Sequence, residues 1–311
     1  MVILALLQHL QSALYVSAPL LLILLAGVFF KRINIINAQF VETGNKLIFK
    51  VSLPCLLFLS VASRSAEQAI DVALISYAVI ATIASVVLVW WLSPLFVEQS
   101  KRGVFTQCAF RGNMGIIGLA LCINAFGENI LALAAIYLAA LTITYNVLSV
   151  LLLSKTRQGI FKQLAKNPLI IAILLGLLFS NLAIPLPKIF TISLGYLAQL
   201  TLPLALVCIG ASLEWQSLKA NHKESLIATA FKLVILPIST VGIAILFGLR
   251  GDALGVLFLM MATPTAAAAY VMSKQMTKHG QLAAEIITLS TLLCPFTVTL
   301  GLILLNSLAL I

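Results

Sequence analysis

Charge is what this sequence has least of: Asp, Glu, Lys and Arg together make up 9% of its 311 residues, where a soluble domain carries roughly a quarter. With 62% hydrophobic side chains and a mean hydropathy of +1.14, a water-soluble fold is excluded. An all-α polytopic membrane protein is expected, because a helix satisfies its own backbone in lipid. Acidic residues are scarcest, 9 against 19 Lys plus Arg. The basic excess does not point to nucleic acid, since the cations stand singly or in pairs between apolar runs without interleaved aromatics. Histidine occurs 3 times, without zinc-ligand spacing, and no pair of aspartates lies inside an apolar run. Nothing therefore supports an intramembrane hydrolase, a distant third reading, and no enzyme activity, metal or cofactor is expected. The five cysteines, Cys55, Cys108, Cys122, Cys208 and Cys294, fall within or at the ends of apolar runs and read as small core residues.

What is abundant is apolar sequence. Cut at its polar interruptions, the chain gives ten transmembrane spans centred near Leu22, Leu56, Thr82, Gly115, Thr142, Leu175, Leu202, Pro237, Pro264 and Leu293, each of about 20 residues. The first has no basic leader and is followed by Lys31 and Arg32, so it reads as a retained helix, not a signal peptide. Loops after odd-numbered spans hold Lys31, Arg32 and Lys46, then Lys101 and Arg102, then Lys155, Arg157, Lys162 and Lys166, then Lys219 and Lys223, then Lys274 and Lys278. The other loops hold only Arg64, Lys188 and Arg250. Positive charge marks the cytoplasmic side, so both termini are expected to be non-cytoplasmic, in an integral protein of the bacterial inner membrane surrounded by lipid.

The chain is also internally repeated. Pro19-Leu20, Gly27 and Phe30 recur 149 residues later as Pro168-Leu169, Gly176 and Phe179. The same offset carries Ser52-Leu53-Pro54 onto Thr201-Leu202-Pro203, and Ala62-Ser63 onto Ala211-Ser212. Residues 1–153 thus read as one five-helix repeat, 154–167 as a cytoplasmic linker and 168–311 as a second repeat. An odd number of spans makes the second copy enter the membrane from the opposite side, which is the 5+5 inverted repeat of secondary transporters, with the substrate between broken helices. Spans four and nine are expected to break and cross. Arg111-Gly112-Asn113-Met114-Gly115 and Met261-Ala262-Thr263-Pro264-Thr265 interrupt them at corresponding places, Asn113 and Gly115 plus 149 being Ala262 and Pro264.

These interruptions contain the candidate site. Arg111 lies about 12 Å into span four at 1.5 Å per residue, near the middle of a roughly 30 Å core. Its guanidinium suits bidentate recognition of a carboxylate, the alternative being a pairing with Glu285 or with carbonyls freed at the break. Lys232 has a similar depth and either completes an electropositive site, stands in for a monovalent cation, or pairs with Glu285. Asn113 binds a substrate oxygen or, as the more ordinary role, caps a half-helix. Gly112, Gly115 and Gly118 fit close packing. Thr142, Tyr145 and Asn146 form a polar face on span five, with Thr288, Ser290 and Thr291 on span ten, where threonines ordinarily bond their own backbone. Pro264 and Thr265 mirror the first break, and Tyr270 is a weaker candidate beyond it. Pro54 and Pro203 are expected to kink their helices.

Four stretches resemble the auxin efflux carrier family: Val51-Ser52-Leu53-Pro54-Cys55-Leu56-Leu57-Phe58, Arg111 through Leu119, Lys232-Leu233-Val234-Ile235-Leu236-Pro237, and Met261-Ala262-Thr263-Pro264-Thr265-Ala266. The likeness runs over nearly the whole chain in motif order and is nearest to the short, malonate-transporter-like prokaryotic members. It implies a fold similar to bile acid sodium symporters: a scaffold within 1–62 and 168–213 that forms a homodimer, and a transport domain within 72–153 and 225–306 that moves past it as an elevator. It also implies an organic anion as substrate. The plant members carry an asparagine-proline pair at both crossings, whereas here Asn113 lacks the proline and Pro264 lacks the asparagine, which argues against a plant-type auxin site.

The expected function is therefore a secondary transporter of a small organic anion, a carboxylate or dicarboxylate, with H+ or Na+ as candidate coupling ions and Lys232 and Glu285 as the coupling or charge-pair residues. The alternative is a non-transporting membrane sensor or receptor on a carrier fold.

Overall fold

A computed structural model describes residues 2–63, 70–153, 165–213 and 221–311. Arg64, Lys155, Arg157, Lys162, Lys219 and residues 154–164 of the expected linker lie outside the described residues. The described residues are predominantly helical, without strands beyond one isolated bridge. In order it forms α1 (Val2–Arg32), α2 (Ala38–Leu47), α3 (Leu53–Ala62), α4 (Val72–Leu92), α5 (Arg102–Phe110), α6 (Leu119–Phe126), α7 (Leu131–Leu153) and α8 (Pro168–Asn181). There follow α9 (Lys188–Gln199), α10 (Thr201–Ser212), α11 (His222–Ala230), α12 (Leu236–Leu246), α13 (Gly251–Met261), α14 (Ala267–Met276) and α15 (Gly280–Ser307).

Starts and joints follow from local chemistry. Asn37 and Asp71 cap α2 and α4 by accepting from the Phe40 and Leu74 amides at 2.8 and 2.9 Å, and Asn167 caps α8 with Pro168 just inside it. Proline supplies no amide for the helix ladder. Just before Pro54 the helix widens into a π-turn over Ile48–Ser52, with the Leu53 amide reaching the Ile48 carbonyl, and just before Pro237 it does so over Phe231–Ile235, with Leu236 reaching Phe231. Pro203 lies in the first turn of α10, immediately after the joint at Leu200 that separates it from α9.

Among the described residues seven helical stretches are long and apolar enough to cross a membrane: Leu7–Arg32, Ala38–Ala62, Val72–Leu95, Glu128–Leu153, Lys188–Ser212, His222–Leu246 and Gly280–Ser307. Three apolar stretches are shorter, Met114–Phe126, Pro168–Asn181 and Gly251–Met261. The sixth expected span is thus the 14-residue α8, about 21 Å at 1.5 Å per residue. Spans four and nine are each divided into two short helices, α5 with α6 and α13 with α14.

Small residues decide which helices touch. A Cβ on Gly27 would overlap the Val207 carbonyl, and one on Gly210 the Leu24 carbonyl, so α1 and α10 meet backbone to backbone. Gly176, the residue 149 positions after Gly27, makes the equivalent but looser approach of α8 to α3, where its Cβ would lie 3.0 Å from the Phe58 carbonyl. The half-helix α13 is enclosed, Leu254 through Met261 all being buried, as is the first turn of α6, Leu119 to Cys122. Large apolar side chains such as Leu22, Trp91, Ile189, Leu246 and Phe247 point outward, as a lipid-facing surface requires. α1 runs along α15 and α6, joined by Ser17 Oγ to Thr299 Oγ1 at 2.6 Å and by the Asn124 amide donating to the Val16 carbonyl at 3.0 Å.

Candidate substrate site at the crossing of two broken helices

The two interruptions meet. α5 ends at Phe110, after which Arg111 is extended (φ −75°, ψ 98°) and Asn113 leads into a π-turn over Met114–Gly118. α13 ends at Met261, and the chain resumes helix at Ala267. Each break supplies what the other lacks: the Asn113 amide donates to the Pro264 carbonyl at 2.8 Å and the Ala266 amide to the Arg111 carbonyl at 2.9 Å, a single antiparallel bridge centred on Gly112 and Thr265. Backbone that would be ruinous in lipid is thereby satisfied within the protein. The helices stop 151 residues apart, at Phe110 and Met261, and resume 153 apart, at Met114 and Ala267. The offset of 149 found elsewhere thus widens to 151 and then 153 at the break, and across the crossing Asn113 faces Pro264.

Side chains close the remaining half-helix ends. Thr265 Oγ1 donates to the Cys108 carbonyl near the end of α5 at 2.8 Å, and the Thr265 amide donates to Ser290 Oγ at 3.0 Å. Lys232 Nζ donates to the Met261 carbonyl at the end of α13 at 2.6 Å, placing a cation at the negative end of that helix. Gly112 is indispensable here, since a Cβ would overlap the Thr263 hydroxyl and come within 3.2 Å of Lys232 Nζ. Gly118 is similarly tight, 2.7 Å from Met260 Sδ, whereas Gly115 leaves ordinary room, 3.6 Å to Leu53 and 3.7 Å to Leu138. Gly115 therefore faces α3, on the side where α10 also packs against 114–118. Pro54 and Pro203 sit at the joints of those two helices, outside the crossing itself.

Arg111, Tyr145 and Asn146 do come together, though chiefly with one another. The Arg111 guanidinium donates to the Tyr145 carbonyl at 3.0 Å, Ser149 Oγ at 2.8 Å and Asn146 Oδ1 at 2.7 Å, and it lies 6.0 Å from the Tyr145 ring. Arg111 thus clasps break one to α7. Ser149, not singled out in the sequence, continues the polar face of Thr142, Tyr145 and Asn146 by one turn, and following that period would have found it.

The structure decides between the alternatives left open for Arg111, Lys232 and Asn113, and gives partners for Ser290 and Tyr270. Neither Arg111 nor Lys232 pairs with Glu285: the ion pairs among the described residues are Lys46–Glu42 and Lys101–Glu224. Glu285 instead accepts from the Asn221 amide at 3.0 Å, Asn221 Nδ2 at 3.1 Å and Ser225 Oγ at 2.9 Å. Seven residues along the neighbouring helix separate Ser225 from Lys232, about 10 Å, so the carboxylate cannot reach the ammonium. Asn113 does not cap its half-helix: its side chain makes no cap bond, and among the described residues it has no hydrogen-bond partner. Ser290 bonds the Thr265 amide as well as its own backbone. Tyr270 lies under Lys274, 5.6 Å from its ring, and does not join the crossing.

What remains is a buried centre with spare donors. Asn113 and Arg111 are each 8% exposed and Lys232 1%. The buried Tyr145 hydroxyl is turned towards the Gly112 amide without a hydrogen bond of normal geometry. Two buried cations, neither with a carboxylate partner among the described residues, leave the centre electropositive. No cluster of three His, Cys, Asp or Glu side chains occurs among the described residues.

A family model described as membrane transport protein matches residues 14–163 and, a second time, residues 155–302. An uncharacterized transporter of Methanothermobacter thermautotrophicus is 26% identical over 279 residues, covering 88% of this chain and 92% of the relative. An uncharacterized transporter of Methanocaldococcus jannaschii is 24% identical over 301 residues, 92% and 97% of the two chains. A Rhizobium meliloti protein named "Putative malonate transporter" is 27% identical over 270 residues, 82% and 84% of the two.

Proposed function

We propose that this chain, which belongs to the membrane transport protein family, also known as the auxin efflux carrier family, is a secondary carrier of a small organic anion, a carboxylate or dicarboxylate. Family membership makes it an integral membrane transporter. The observation that carries the choice of an anion is the pair of buried cations at the crossing, Arg111 and Lys232, which no carboxylate neutralises among the described residues. Such a centre attracts a negative solute and repels a positive one. Asn113 and Tyr145 carry the donors left free to bind it, while Arg111 contributes charge from behind its own hydrogen bonds to α7.

The same proposal takes ten membrane passages in two inverted sets of five, with α5 to α6 and α13 to α14 as the two broken passages. The double match of the family model and the equivalent contacts of Gly27 and Gly176 support it. Alternating access would move the crossing, with α4 to α7 and α11 to α15, past a scaffold of α1 to α3 and α8 to α10. A homodimer would join through that scaffold, where α9 turns Ile189, Phe190 and Tyr196 outward. Positive charge in the loops supports a topology with both termini outside the cytoplasm.

Uptake and counterflow of labelled malonate in proteoliposomes test the proposal. Saturable uptake with counterflow, lost in Asn113→Ala, is the expected result. Saturable binding without flux would make the protein a sensor on a carrier fold, and neither binding nor flux for any carboxylate would remove the anion from the proposal.

A further inference from the structure

A second buried polar system runs beneath the crossing towards the side that the loop charges mark as cytoplasmic. α11 and the π-turn that continues it lie along α15. On one side Ser225, Thr229 and Lys232 recur at one-turn spacing, and on the other Glu285, Thr288 and Thr291 do the same, so the two polar stripes face each other. All six are buried: Ser225 and Glu285 are 0% exposed, Lys232 1%, Thr288 and Thr291 2%, and Thr229 3%. Hydroxyls inside membrane helices ordinarily bond the carbonyl one turn back, as Ser60, Ser85 and Thr144 do. The Thr229 hydroxyl, in the middle of the line, has no partner.

The outer end reaches water through a ladder of charged and polar groups. Lys101 Nζ donates to Asn221 Oδ1 at 3.0 Å and to Glu224 at 3.1 Å, with both charged side chains about one-fifth exposed. Asn221 in turn donates to Glu285 through its backbone and its side chain, and Ser225 donates to the same carboxylate. The inner end is Lys232, at the Met261 carbonyl of break two. A buried carboxylate and a buried amine thus stand at the two ends of about 10 Å of helix, the rise from Ser225 to Lys232, with hydroxyls at one-turn spacing between them.

We infer that this line is a proton path, and that the carrier moves its anion together with a proton held on Lys232. The inference rests on the anion-carrier proposal above. The protonated amine accompanies the bound anion. When the anion leaves on the cytoplasmic side, Lys232 gives its proton through Thr229 and its neighbours to the Glu285 carboxylate, which passes it by way of Ser225 and Asn221 to water at Glu224. Lys232 returns as the neutral amine and takes up a proton with the next anion. Each cycle carries one proton in the direction of the anion, and the returning centre holds one positive charge fewer than the loaded one. The titratable and charged groups around the line are few. On α11 they are Glu224, reached with Lys101 through Asn221, and the exposed His222 and Lys223 just before it. On α15 Cys294 stands beside Lys232, and on α5 lie Cys108 and Arg111, whose guanidinium turns away to α7. α14 presents Lys274, which lies over Tyr270, and α1 presents only the Ser17 hydroxyl, bonded to Thr299.

The test compares net uptake of labelled malonate with malonate-for-malonate exchange in proteoliposomes that contain a pH dye, at clamped membrane potential. Net uptake by the natural protein should acidify the lumen and accelerate when the lumen is alkaline. Glu285→Gln, which keeps an acceptor for Ser225, should exchange malonate normally yet lose the acidification and the acceleration. Thr229→Val removes a hydroxyl that bonds nothing, so a purely structural role predicts unchanged or better stability and unchanged flux. The proton path predicts the same stability with several-fold slower net uptake. Exchange that proceeds while net uptake ignores the lumenal pH would overturn the proton path and leave the anion carrier standing, as would full pH acceleration retained in both variants.

Discussion

At the scale of single residues, the three glycines of Gly112-Asn113-Met114-Gly115-Ile116-Ile117-Gly118 look equivalent in sequence and are not. A methyl group on Gly112 has nowhere to go between Thr263 and Lys232, whereas one on Gly115 meets only leucine methyls at ordinary distances. Gly112→Ala should therefore cost roughly 1–3 kcal/mol, as overpacking does, and Gly115→Ala should stay within about 0.5 kcal/mol. Thermal unfolding in detergent measures both, and a larger loss for Gly115→Ala would contradict the geometry. Asn113 and Arg111 divide in a similar way. Asn113→Ala removes a side chain without a partner, so the melting temperature should hold while transport disappears. Arg111→Ala strips donors from Tyr145, Ser149 and Asn146 and should lower stability by roughly 1–3 kcal/mol for the buried acceptors left behind. Arg111→Lys should not restore it, since a compact ammonium does not span three acceptors as a planar guanidinium does.

Among elements, the break in α13 to α14 depends on groups outside itself. The Thr265 amide has Ser290 of α15 as its acceptor. Ser290→Ala leaves that buried amide unpaired and should cost about 1–3 kcal/mol, with the melting transition and transport falling together. An unchanged melting temperature would mean that the bridge between Gly112 and Thr265 holds the break alone. That both spans break was legible in the sequence, because glycine, asparagine and proline interrupt runs that otherwise have no reason to stop. Their register was not. An offset read from Pro54 and Pro203 relates equivalent positions of the two repeats and does not say which residues touch across the crossing, where the Asn113 amide bonds the Pro264 carbonyl. The π-turns before Pro54 and Pro237 follow from the missing proline amide, although the sequence does not say whether a helix answers that loss by bending or by widening.

For the whole molecule, the contact of α1 with α15 and α6 is the surface along which an elevator would slide. Its cross-helix hydrogen bonds include Ser17 with Thr299 and Asn124 with the Val16 carbonyl, few enough to exchange without a large barrier. Because the Ser17 and Thr299 oxygens are 2.6 Å apart, the double variant Ser17→Cys, Thr299→Cys should form a disulfide on mild oxidation. Transport should stop on oxidation and recover on reduction. Transport that continues in the cross-linked protein would exclude movement of these helices past one another.

Composition and pattern were enough to determine that the chain lives in a membrane, that it is duplicated, and that two of its apolar spans are interrupted by polar residues, because each of these is a property of local sequence and of the cost of polar groups in lipid. Partner choice was decided by the tertiary structure. Glu285 is the acidic residue deepest in the later spans, and sequence distance alone would pair it with Lys232 or Arg111. Only the packing of α11 on α15 shows that Asn221 and Ser225 take the carboxylate first, one and a half turns or more from the nearest buried cation. The centre is electropositive for that reason: charges neutralise each other by distance in space, and distance in space is what a single sequence does not contain.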